Sequence, residues 1–119
     1  MQELSLGTIE GRFADIIWEK SPIKTNELLK VCETEFGWKR STTYTVLKRL
    51  ENKGIFQNQD GTVVSLLSRD EFYTKQSEQY VEQSFGGSLP AFLAAFTSGK
   101  KLSENEVLEL KEIIENAGK

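Results

Sequence analysis

Between Lys39 and Lys53 the chain concentrates cations and hydroxyls. Lys39, Arg40, Lys48, Arg49 and Lys53 face a single carboxylate, Glu51, and Ser41, Thr42, Thr43, Tyr44 and Thr45 stand among them. Side chains of these types bind rather than react. Ammonium and guanidinium groups neutralise phosphates, hydroxyls donate to phosphate or base atoms, and threonine methyls pack against thymine methyls. β-Branched residues lose side-chain freedom in a helix, so three threonines here suit contact better than scaffold. The stretch predicts a helix presenting Lys39, Arg40, Ser41, Thr42, Thr43, Tyr44, Thr45, Lys48 and Arg49 to DNA. The plainer alternative is a solvated basic face, with Thr42 as a cap.

The remaining composition argues against other chemistry. The 119 residues contain no histidine, which removes the commonest general base and metal ligand, and one cysteine, Cys32. Without a cysteine pair there is neither an internal disulfide nor a thiolate zinc or copper site. Gly86-Gly87 and Gly7/Gly11 lack the context of a phosphate loop, and serines without a base make no nucleophile. The expectation is no enzyme, no metal and no cofactor. No run reaches the apolar length of a membrane span and the first residues carry no signal-peptide pattern, which predicts a cytoplasmic protein without membrane contact. The net charge of −3 is uneven. Residues 1–57 hold nine Lys/Arg and eight Asp/Glu, residues 58–119 six and ten. Attraction focused at one surface of an acidic, soluble chain suits a nucleic-acid reader.

The elements that must position this surface are mostly helical. Thr8 to Glu19 reads as a helix capped by Thr8, with Ile9, Phe13, Ile16 and Ile17 on one face, and Ser21-Pro22 ends it. Thr25 to Phe36 reads as a second helix capped by Thr25, with Leu28, Leu29, Cys32 and Phe36 buried and Gly37 as its stop. The third runs from Arg40 or Ser41 to Lys53 around Val46, Leu47 and Leu50, ended by Gly54. Two β-prone runs then flank Asp60-Gly61, a strong hairpin signal because both positions accept positive φ. Three helices followed by a hairpin is the layout of a winged helix-turn-helix. Trp18, Trp38 and Cys32 read as core residues. Helices follow at Arg69–Phe85, Leu89–Phe96 and Ser103–Asn116, the last opened by a Ser103/Glu106 capping box. Each is short and apolar on one face only, so together they make no core of their own. The predicted fold class is mainly α with a small β-hairpin wing (α+β), divided into 1–68 and a helical 69–119.

Several stretches resemble the penicillinase-repressor (BlaI/MecI/CopY) family in order and spacing: IIWEKSPIKTNELL, GWKRSTTYTVLKRLENKG, FGGSLPAFLAAF and KLSENEVLELKEII. The most specific pattern is Trp38, Thr42, Thr45, Leu47, Arg49, Leu50, Lys53 and Gly54. The resemblance implies a homodimeric repressor that occupies an inverted-repeat, double-stranded operator upstream of resistance or metal-homeostasis genes. It implies dimerisation through 69–119, on the apolar residues Phe72, Tyr80, Phe85, Leu89, Phe92, Leu93, Phe96, Val107, Leu110 and Ile114. It also implies an inducing partner, a sensor protease in the β-lactam-responsive branch. Three positions depart from the pattern. Lys39-Arg40-Ser41 stands where Ser-Pro-Lys is common, Ala95-Phe96 replaces the cleaved Asn-Phe pair, and the Cys-x-Cys pairs of the copper-responsive branch are absent. The rival class is a protein-interaction module that uses the same winged helix without DNA.

Overall fold

The computed structural model describes residues 5–119; the first four positions of the 1–68 segment lie outside the described residues. The elements are α1 (Thr8–Lys20), β1 (Ile23–Lys24), α2 (Thr25–Phe36), α3 (Arg40–Asn52), β2 (Phe56–Gln59), β3 (Thr62–Ser65), α4 (Arg69–Phe85), α5 (Leu89–Ser98) and α6 (Glu104–Ala117). Three helices and a hairpin appear in the expected order, which is the α+β architecture of a winged helix. The chain parts into two compact units, one ending at Gln79 and the other spanning Tyr80–Lys119.

The first unit has a continuous core. Phe13, Ala14 and Ile17 of α1 join Leu28 and Cys32 of α2, and Val46, Leu47 and Leu50 of α3. Ile55, Phe56 and Val63 carry the cluster onto the hairpin, and Phe72 closes it from α4. Truncating a ring such as Phe13 at such a site costs about 3–5 kcal/mol. The tryptophans fasten the edges. Trp18 lies 5.4 Å from the Phe56 ring and 5.6 Å from that of Phe72, and its indole N–H donates to the Leu67 carbonyl at 2.9 Å. Trp38 lies 5.6 Å from Phe13 and 4.6 Å from Phe36. The compact unit runs past Ser68 because Phe72 is fully buried and Tyr73 packs 6.1 Å from Trp18.

The sheet has strand order β1-β3-β2, all antiparallel. Asp60 and Gly61 both take positive φ, as a two-residue hairpin turn demands. Thr25 is not a cap. Lys24 holds that position, and the Thr25 N–H and hydroxyl both donate to the Gly61 carbonyl, at 2.9 and 3.3 Å, tying the start of α2 to the hairpin turn. Thr8 is likewise inside its helix, and Gly7 is the cap residue. Having no side chain, Gly7 leaves only half a capping box, in which Glu10 accepts its N–H at 3.2 Å. Ile9, in that first turn, is 47% exposed, and Ala14 takes its place in the buried face.

α3 ends as Gly54 implies. Gly54 adopts φ +78°, its N–H reaches the Glu51 carbonyl, and the Ile55 N–H reaches that of Leu50. This is the Schellman arrangement, completed by Leu50 and Ile55, both buried in the core. It turns the chain straight from α3 into β2. Capping boxes open α4 (Ser68/Glu71) and α6 (Ser103/Glu106) with bonds of 2.9–3.1 Å. The Ser68 N–H and hydroxyl hold the Glu71 carboxyl below its usual range.

Cys32 is enclosed. Burial pushes its thiol up to about 11, and the Thr43 hydroxyl beside it offsets part of that rise. Since folding raises this pKa from 9.0, the stability it lends is complete below that value and is lost as pH climbs through 11.

The second unit is built differently. Its rings gather in a chain, Tyr80 lying 6.2 Å from Phe85 and 6.0 Å from Phe92, Phe85 5.5 Å from Phe92, and Phe92 6.1 Å from Phe96. Yet no side chain from Tyr80 to Lys119 is fully buried. No described helix is long and apolar enough to cross a membrane.

Candidate nucleic-acid interface

α3 turns two adjoining stripes outward, each following from its 3.6-residue period. Arg40, Tyr44 and Lys48 form one, and Ser41, Thr45 and Arg49 the next, with Thr42 on the far side of the second at the N-terminal end. All seven are exposed, as is Lys39 just before the helix. The opposite face, Thr43, Val46, Leu47 and Leu50, is buried. This alternation of stripes, held by the core beneath, fixes which hydroxyls meet solvent.

Thr43 is therefore a correction to the expected contact set. It is 1% exposed, its hydroxyl enclosed beside Cys32 without a hydrogen bond of ordinary geometry. Its spacing of three and four from Val46 and Leu47 commits it to the core. Thr42 and Thr45 remain on the surface and differ from each other. The Thr45 hydroxyl donates to the Ser41 carbonyl at 2.9 Å, so outward it offers lone pairs and a methyl group. The Arg40 guanidinium lies 5.9 Å over the Tyr44 ring, which steadies both at the start of the helix.

No carboxylate sits in the first turn of α3, and no side chain caps it. Its free N–H groups and macrodipole therefore add to the positive field around Arg40. Two further polar residues border this end. Asn26 and Lys30, one turn apart on α2, line a hollow of about 330 Å³ with Trp38, Glu33 and Arg40. Their signal was legible, since they stand four apart on the face of α2 away from Leu28 and Cys32. The hairpin carries no Lys or Arg between Phe56 and Ser65. Its exposed amides pair with each other, Gln59 Nε2 donating to Gln57 Oε1 at 2.9 Å.

The residues expected to join protomers divide between the units. Phe72 is another correction: it belongs to the first unit's core, since α4 packs its first turns there. Tyr80, Leu89, Phe96 and Ile114 are exposed, while Phe85, Phe92, Leu93, Val107 and Leu110 are half-buried. Leu108 and Ile113, outside the expected set, are both 63% exposed. They widen the apolar stripe of α6 beyond the Val107/Leu110/Ile114 line. Ile113 and Leu110 flank an apolar hollow of about 360 Å³ floored by Phe92, Leu93 and Phe96. Ala95–Phe96 lies inside α5. Among the described residues, no group of three or more His, Cys, Asp or Glu could hold a metal ion.

Comparison with known proteins identifies a family. A family model described as penicillinase repressor matches residues 6–116. The methicillin resistance regulatory protein MecI of Staphylococcus aureus strain Mu50 is 23% identical over 113 residues, covering 92% of this chain and 92% of that protein. The penicillinase repressor of Bacillus licheniformis is 28% identical over 104 residues, 84% of this chain and 81% of that protein. The penicillinase repressor of Staphylococcus aureus is 20% identical over 122 residues, 99% and 97% of the two chains.

Proposed function

The chain belongs to the penicillinase repressor family, and from that premise we propose that it is a homodimeric transcriptional repressor that reads an inverted-repeat operator with α3. The observation that carries this reading is the exposed face of α3, with cations and hydroxyls in two stripes and no carboxylate in its first turn. In a helix-turn-helix the second helix lies in the major groove, its N-terminal residues at base edges. Thr42, Thr45 and Ser41 then read bases, and Lys39, Arg40, Lys48 and Arg49 bind the flanking phosphates. The unit ending at Gln79 holds DNA and the Tyr80–Lys119 unit holds the second copy. Repression is steric, the dimer covering DNA that polymerase needs. The protein works in the cytoplasm and performs no catalysis. What supports the dimer is the second unit itself. Forty residues without a buried side chain leave apolar surface that a twin covers at about 25 cal/mol per Å².

The test separates base reading from phosphate binding. Operator duplex is first selected from genomic fragments that the protein retains. Thr42→Ala and Thr45→Ala are then each expected to narrow the gap between operator and scrambled duplex by about 1–3 kcal/mol. Helix stability will hold or rise, because alanine is the better helix former. If operator and scrambled affinities fall in parallel, the threonines touch only the backbone.

A further inference from the structure

Residues ahead of and within the first turn of α1 reach the C-terminal half of α3. The Glu10 carboxylate serves two partners. Oε1 accepts the Gly7 N–H at 3.2 Å, and Oε2 lies 3.8 Å from Arg49 Nη1. Beside it the Lys53 ammonium donates to the Ser5 carbonyl. The Glu10 side chain is 21% exposed and that of Arg49 61%, so the acid is held in place while the base remains open to solvent. Among the described residues no such ion pair involves Lys39, Arg40 or Lys48. Among the described residues, Arg49 is thus the one exposed cation of the α3 contact stripes that forms an ion pair.

We propose that Glu10 is an intramolecular counter-ion that competes with DNA phosphate for Arg49 and thereby sets how strongly the protein holds DNA of any sequence. This rests on the reading of α3 given above. A phosphate approaching Arg49 meets a guanidinium whose field is partly cancelled. It must either displace Glu10 or accept a second anion nearby. The Gly7 N–H anchors the carboxylate, so it does not simply swing aside. The effect falls on the sequence-independent part of binding, which is electrostatic and salt-sensitive. Glu10 therefore acts as a tempering residue: it leaves base contacts at the N-terminal end of α3 untouched and weakens the non-specific hold that competes with them.

Glu10→Gln removes the charge and keeps an amide oxygen for the Gly7 N–H. On a mixed-sequence duplex at low salt it is expected to bind about 2–5-fold more tightly than the natural chain, the range of an exposed ion pair. Its plot of log affinity against log salt should steepen by up to about one unit. Glu10→Ala, which also gives up the Gly7 bond, should show the same gain if charge is the cause. In an Arg49→Ala background neither substitution should gain anything. If Arg49→Ala weakens binding but Glu10→Gln matches the natural chain, the competition is disproved and the α3 reading stands. An equal gain with Arg49 absent also disproves it, by showing a general charge effect. Full affinity in Arg49→Ala alone removes Arg49 from the DNA surface, and both the competition and that part of the α3 reading fall.

Discussion

With glutamate at both Phe96 and Ile113, the full chain is expected to sediment as a monomer and to lose about 10²–10⁴-fold in affinity for its two-fold operator. Both side chains are exposed, at 52% and 63%, and both border the hollow floored by Phe92 and Leu93. A carboxylate placed there is solvated in the monomer and stripped of water in a dimer, so it opposes association far more than it disturbs the isolated fold. The loss in operator affinity follows from geometry. A dimer binds its second half-site at the high effective concentration set by the first, and a monomer forfeits that gain without any change at α3. The first unit's core contains neither residue, so its thermal transition should survive. Sedimentation and operator titration of the double variant check both parts. A variant that stays dimeric and binds normally places the protomer contact elsewhere.

Replacing Arg40 and Lys48 together by alanine is expected to weaken binding to operator and scrambled duplex alike by about 30-fold. That figure takes about 1 kcal/mol for each exposed charge–phosphate contact. The two share one stripe of α3 and, among the described residues, form no ion pair, so no intramolecular carboxylate blunts the loss. The salt dependence should fall by about two units, close to one for each phosphate no longer neutralised. Alanine is the better helix former, so a change in helicity would not explain the result. Unchanged slope with weaker binding would make these residues structural rather than phosphate contacts.

Much of the fold was legible because periodicity and turn chemistry agreed. The 3.6-residue spacing of Val46, Leu47 and Leu50, the Gly54 stop and the Asp60-Gly61 turn all point to one helix followed by one hairpin. β1 was not legible, since two residues carry no alternation and its pairing with β3 is a tertiary event. Thr43 misled because threonine was weighed as a contact residue ahead of its place in the helical period. Counting from Val46 and Leu47 puts it on the inner face. Phe72 misled for a different reason: an aromatic at the start of a helix shows that it will be buried, not in which unit. Thr8 and Thr25 show that a good capping residue does not cap when the chain starts its helix one residue earlier. Leu108 and Ile113 fall outside the Val107, Leu110 and Ile114 spacing because the apolar face of α6 is broader than one stripe.

The reading of α3 as a DNA-binding surface is tested most directly by titrating a fluorescent duplex, operator and scrambled, with the full-length protein across a series of salt concentrations. Tight operator binding with two chains on each duplex is expected, with a linear fall of log affinity with log salt for both duplexes. The gap between the two duplexes should stay largely intact as salt rises, because base contacts release few ions. No binding of either duplex at low salt and micromolar protein, or an affinity indifferent to salt, would contradict it and leave the winged helix as a surface for another protein.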